Sequence, residues 1–184
     1  MTTTGWIVLI VGIILVVGTI LLFKARTRKL KSQFGPEYDR AVRERGSALT
    51  AERELEQRAK RVEKFKVHPL SDSECERFAN SWRETQTRFV DDPRGALAEA
   101  DQLVNQAMKA RGYPVGGEFT QRAADLSVEH PRVVEHYRIA HDIADADTRK
   151  AASTEDLRLA MKHYRALFED LLGRPVEEMT GARK

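Results

Sequence analysis

From Gly5 to Phe23 the chain reads GWIVLIVGIILVVGTILLF, 19 residues without a charge, and the next eight, KARTRKLK, hold five cations and no anion. A helix rises about 1.5 Å per residue, so the run covers roughly 28 Å, close to the ~30 Å of bilayer hydrocarbon. In that layer every amide must bond within its own segment, which only a helix allows here. Trp6 lies at the outer edge, the headgroup level that an amphipathic ring favours. A cleaved signal peptide carries its basic residues before the apolar stretch; this chain carries them after. With Lys24, Arg26, Arg28, Lys29 and Lys31 all following residues 5–23, the bias of cations toward the cytoplasmic side predicts an N-terminus outside and a cytoplasmic C-terminal domain. An uncleaved anchor that exports the domain is the alternative. The collar, residues 24–31, is expected to touch anionic headgroups, at about 1 kcal/mol per cation near the surface. Gly5, Gly12 and Thr19 recur every seven residues in the span, a weak hint of helix pairing in the membrane.

Charge elsewhere is balanced. Setting aside the five collar cations leaves 26 basic residues against 28 acidic, so the basic pI near 9.1 belongs to the collar. A nucleic-acid-binding domain carries a basic face of its own, and no nucleic-acid partner is expected. Cys75 is the only cysteine, which excludes an intrachain disulfide and any CxxC metal or redox site.

Gly35-Pro36 should end the helix leaving the membrane and start another, since proline tolerates only the first turn. Residues 37–66 are dense in Arg, Lys and Glu, with Tyr38, Val42, Leu49, Leu55, Ala59, Val62 and Phe65 as a thin apolar seam and Gly46-Ser47 as a dividing point. The segment reads as a charged helical stalk or edge helix whose seam is available to a partner. The compact part, residues 70–173, begins with Ser71 and Glu74 as a capping box before Cys75, Phe78, Ala79, Trp82, Gln86 and Phe89. Asp92-Pro93 opens a second helix through Leu97 to Met108, with Gly112 as its stop. RGYPVGG, residues 111–117, reads as a loop, Phe119 to Leu126 as a short helix, and Val133 to Ala144 as another after His130-Pro131. A polar link, ADADTRKAAS, precedes a last helix capped by Ser153 and Asp156 and closed at Gly173. No stretch alternates as a half-buried strand does. The expected fold is all-α: a transmembrane helix, a charged helical stalk and a bundle of four to five helices, with residues 174–184 as a flexible tail.

QFGPEYDRAV, RFVDDP, ARGYPVG, DLSVEHPRVVEHYR and STEDLRLAMKHYRALFEDLL together resemble a family of short bacterial proteins with one N-terminal membrane span and a helical C-terminal region. The resemblance runs from Phe34 to Leu172. It implies a bacterial source and a plasma-membrane location, and carries no activity, cofactor or catalytic residue.

His136-Tyr137-Arg138 recurs as His163-Tyr164-Arg165, 27 residues later. By helical phase His136 falls near the centre of its apolar face and His163 near the edge of its own, about 80° apart, which reads as chance recurrence. His136 is expected to be a core histidine. His136 and His141 lie about 140° apart around a helix, unlike the ligands of HExxH, so no metal site is expected, although assembly with His130 or His163 stays open. Asp91-Asp92-Pro93 reads as capping rather than paired catalytic carboxylates. The glycines of RGYPVGG lack the Lys and Ser/Thr of a phosphate-binding loop, and Cys75 reads as a buried structural thiol.

The sequence thus favours a membrane-anchored adaptor or scaffold that holds a protein partner or a second copy of itself, with no cofactor and no catalytic residues. The alternative is a pH- or ligand-sensing domain, or an enzyme, with its site near His136, Tyr137 and His163.

Overall fold

The computed structural model describes residues 3–148 and 152–180, among which there are eight α-helices and no strand. The chain divides into two compact units, Met1–Glu56 and Gln57–Lys184.

The first unit holds α1 (Thr3–Phe34), α2 (Pro36–Arg45) and the first turns of α3 (Ala48–Val62). The apolar run and the basic collar form one uninterrupted helix. One stretch of it, Ile10–Phe34, is long and apolar enough to span a membrane, and its large side chains from Ile10 to Phe23 are exposed. Gly35, at φ +47°, turns the chain, and Pro36 starts α2; an L side chain would be strained there. The expected break is therefore present.

Part of the expected stalk packs on α1. Leu30 and Phe34 of α1, Tyr38 and Ala41 of α2, and Ala51 and Leu55 of α3 are all buried. Tyr38 and Leu55 of the expected seam thus lie in the interior of this unit. Glu52, 4% exposed, accepts hydrogen bonds from the Thr27 hydroxyl at 2.7 Å and the Tyr38 hydroxyl at 2.9 Å. One turn later Glu56 takes the Arg26 guanidinium in a two-pronged pair at 2.6 and 2.7 Å. Beside the buried Leu30, Phe34, Ala51 and Leu55, these charge-assisted bonds join α3 to the collar.

The second unit contains the end of α3, α4 (Asp72–Arg88), α5 (Pro93–Ala110), α6 (Phe119–Glu129), α7 (Val134–Thr148) and α8 (Thr154–Leu172). α8 lies between α5 and α7, α4 covers α5, and α6 packs on α7. The helix starts follow local chemistry. The Ser71–Glu74 and Ser153–Asp156 capping boxes are both formed, and the Asp92 carboxylate accepts the Gly95 amide at 2.9 Å ahead of Pro93. Gly112, at φ +96°, lets the Tyr113 amide reach back to the Met108 carbonyl at 3.0 Å. A Cβ at that position would stand 2.6 Å from the Lys66 carbonyl oxygen, so both backbone conformation and space require glycine.

The core centres on Trp82, stacked on Phe168 at 4.7 Å with Phe78 edge-on to the same ring at 6.2 Å. Cys75 is buried, its thiol 3.7 Å from the Leu172 carbonyl. The core also reaches beyond residues 70–173. Val62 and Val176 are buried in it, and Phe65, Val67 and Met179 pack against it. The expected flexible tail is thus docked as far as Thr180: the Val176 amide donates to Glu169 at 3.1 Å, Arg165 pairs with Glu177, and Glu178–Thr180 forms a 3-10 turn. Residues 181–184 lie outside the described residues. The expected polar link is also shorter, because α7 continues to Thr148, where Asp147 pairs with Arg94 of α5 at 2.8 Å.

Candidate functional site

α7 and α8 pack against each other, and the histidines and tyrosines of the two His-Tyr-Arg triplets meet between them. The two histidines, which their helical phases set apart, lie side by side: Nδ1 of His136 lies 2.7 Å from Nδ1 of His163, with ring centroids 4.9 Å apart and planes at 30°. Directly inside them Tyr137 and Tyr164, both wholly buried, lie edge to face at 6.4 Å. The centre of the buried α7 face lies farther from His136 than the spacing of its apolar residues suggests. Val133 precedes the helix and Ile143 is only half-buried. The buried residues of α7, Val134, Tyr137 and Ala140, centre on Tyr137, as those of α8 centre on Tyr164. Each histidine precedes its tyrosine by one residue, so both stand about 100° off the buried face. His136 is accordingly half-buried at the rim and is not a core histidine.

At 2.7 Å one of the two facing nitrogens must carry a proton and the other must accept it. The pair therefore shares one proton in its line of contact. Burial, then the neighbouring His136, lowers the pKa of His163.

The tyrosines beneath are held protonated. Tyr164 donates to Asp101 of α5 at 3.0 Å, and Asn105 donates to the other Asp101 oxygen at 3.0 Å. Burial, and then the Asp101 charge, push the Tyr164 hydroxyl far above its ordinary range. Tyr137 accepts from Arg122 of α6 at 3.3 Å, while Arg122 also donates to the Gly117 carbonyl at 2.7 Å. Burial raises the Tyr137 pKa despite that cation. Tyr164 is thus placed as a donor to Asp101 and Tyr137 as an acceptor from Arg122.

A second polar cluster was not legible in the sequence. His130, 7% exposed, pairs through Nδ1 with Asp170 of α8 at 2.5 Å, and its Nε2 faces Nη1 of Arg111, at the end of α5, at 3.3 Å. A guanidinium only donates, so Nε2 is the acceptor and Nδ1 bears the proton toward Asp170. Arg111 also donates to the Leu171 carbonyl at 3.1 Å and lies 3.7 Å from Glu129, which accepts the Tyr113 hydroxyl at 2.8 Å. These bonds close the ends of α5, α6 and α8 together. His141 is elsewhere, stacked on Phe119 at 3.6 Å.

Among the described residues no group of three or more His, Cys, Asp or Glu side chains is arranged to hold a metal ion. In the collar, Lys24, Arg28, Lys29 and Lys31 are exposed and Arg26 is half-buried against Glu56; the Lys31 ammonium lies 5.0 Å from the centre of the Tyr38 ring. No family model, no curated protein and no solved structure matches the chain.

Proposed function

We propose that this protein is a membrane-anchored helical adaptor or scaffold of a bacterial plasma membrane, with its N-terminus outside and its helical units in the cytoplasm. The observation that carries the reading is the continuity of α1: an apolar helix with exposed side chains runs without a break into a basic segment that α3 holds through Arg26 and Thr27 and that meets the Tyr38 ring of α2 through Lys31. Such a helix serves as an anchor joined to a folded unit without a flexible linker between them.

The geometry also sorts the five cations. Headgroups occupy about 5–8 Å beyond the hydrocarbon edge, and Arg28 stands about 7.5 Å past Phe23 along the helix. Lys24 and Arg28 fall within that depth and are the favoured headgroup contacts, with Lys29, about 9 Å past Phe23, just beyond it. Arg26 is shared with Glu56, and Lys31, about 12 Å past Phe23, reaches the surface only if the helix tilts. A protein partner or a second copy is the expected cargo of the helical units.

Two experiments test this reading. Protease added to intact spheroplasts should spare a tag placed after Lys184, and its digestion without lysis would overturn the orientation. Crosslinking in native membranes should then capture a specific protein or a homo-oligomer; recovery of only uncrosslinked monomer would remove the adaptor role.

A second reading is favoured by the His136–His163 contact. Burial, then the neighbouring His136, lowers the pKa of His163, so acid below the ordinary imidazole range protonates it and disturbs the contact, as a pH-sensing domain would use. Trapping of the partner in crosslinked membranes that changes between pH 7.5 and 5.5, and no longer does so in His163→Gln, would support it.

A further inference from the structure

We propose that α3 is a second bilayer-contacting element, an interfacial helix that lays an exposed basic stripe, Arg53 and Lys60 beside Leu49 and Gln57, on the anionic headgroup surface next to the collar. With α1 as the membrane anchor, a reading on which this inference rests, Arg26 and Thr27 stand about 4.5 and 6 Å past Phe23, at headgroup depth. Their partners on α3 are held at that same depth. Glu56 takes the Arg26 guanidinium at 2.6 and 2.7 Å, and Glu52 takes the Thr27 hydroxyl at 2.7 Å.

Glu52 and Glu56 are about 6 Å apart along α3, yet their partners are neighbours about 1.5 Å apart along α1. α3 accordingly runs across α1 more than alongside it, close to the plane of a bilayer that α1 crosses. The same bonds set its roll. Glu56 takes the residue nearer the membrane, Arg26, whereas Glu52 takes Thr27 and, at 2.9 Å, the Tyr38 hydroxyl of α2. Ala51 and Leu55 turn farther the same way, into the interior that also buries Leu30 and Phe34, about one and two turns beyond Thr27 on α1. At about 100° per residue, Leu49, Lys60, Arg53 and Gln57 fall within an arc of about 80° on the opposite side of α3, and all four are exposed. That side faces the membrane.

The stripe has the chemistry of an interfacial surface. It holds two cations and no carboxylate, because Glu56 at its border is taken up by Arg26 and Glu54 on the far flank by Arg45. Arg53 and Lys60 are two helical turns apart, about 10 Å, and each has an apolar stem long enough to lay its charge on a phosphate. Leu49, 43% exposed, stands at one end as the apolar side chain that such helices sink toward the acyl boundary. A surface of anionic phospholipid fits both features, since it attracts each cation and takes up the leucine.

The test uses the full chain reconstituted in vesicles of phosphatidylcholine and phosphatidylglycerol. A photoactivatable diazirine is carried either on the phosphatidylglycerol headgroup or on an acyl chain, and adducts are located by mass spectrometry. The acyl probe should label α1 between Ile10 and Leu22. The headgroup probe should label Lys24 and Arg28 and, on α3, Leu49, Arg53, Gln57 and Lys60, but not the exposed Gln33, about 15 Å past Phe23. Arg53→Gln combined with Lys60→Gln, both at exposed positions, should lower the α3 adducts about fivefold and leave those at Lys24 unchanged. Collar adducts without α3 adducts would overturn the proposal and leave the anchor standing. Labelling of Gln33 equal to that of α3, or α3 adducts undiminished in the double variant, would do the same. Absence of acyl adducts on α1 would remove the anchor and this proposal with it.

Discussion

Trp82→Ala removes the ring on which the second unit closes, and its cost follows from the surroundings of that ring. Trp82 is wholly buried and stacked on Phe168 at 25°. An indole of about 200 Å² at about 25 cal/mol per Å² represents about 5 kcal/mol of transfer free energy, of which the alanine methyl retains about 1. Nε1 has no hydrogen-bond partner, so deleting it returns about 1–2 kcal/mol. The lost stacking on Phe168 and the cavity left behind add about 1 kcal/mol or more in the other direction. The net loss is about 3–4 kcal/mol. Trp82→Phe retains most of the apolar area and removes the orphan donor, so it should cost about 1 kcal/mol. Urea unfolding of the full chain in micelles, followed by circular dichroism at 222 nm, measures both. A loss below 1 kcal/mol for Trp82→Ala, or a Trp82→Phe variant as damaged as Trp82→Ala, would refute the placement of this ring and the reading of its unpaired nitrogen.

Gly112→Ala should destabilise by about 1–3 kcal/mol in the same assay, because it combines a positive φ with a Cβ 2.6 Å from the Lys66 carbonyl; an unchanged midpoint would contradict that geometry. His163 has a lowered pKa in the folded chain, so at mildly acid pH the unfolded state binds more protons. Its contribution is present above about 6.5, its unfolded pKa, and is lost as pH falls from there toward the folded value. Tm should therefore drop between pH 7.5 and 5.5, with a smaller drop in His163→Gln, and equal drops would exclude this linkage. A fragment spanning residues 57–180 should melt cooperatively and at a higher temperature than one spanning 70–173, since Val62, Phe65, Val67, Val176 and Met179 join the core. Equal melting would show those contacts to be idle.

The boundaries marked by a cap, a proline or a glycine stop were determined by the sequence itself. Gly35-Pro36, Ser71 with Glu74, Asp92-Pro93, Ser153 with Asp156 and Gly173 each act through bonds to residues at most four positions away. The apolar run and its collar are equally local, set by composition over a single helix. Only the tertiary structure decided which faces meet. Residue spacing gives a side chain's angle on its own helix but says nothing of the neighbour presented to that angle, so the meeting of His136 with His163 depended on how α7 and α8 are rotated about their axes. The same holds for Arg111, His130 and Asp170, which converge from three helix ends up to 60 residues apart. It holds for Glu52 and Glu56 too: as members of a charged helix they read as solvated, and they became a clasp when α3 was laid against the collar. Val176 beyond the last helix stop looked mobile for the same reason, since its burial depends on a groove that distant residues build.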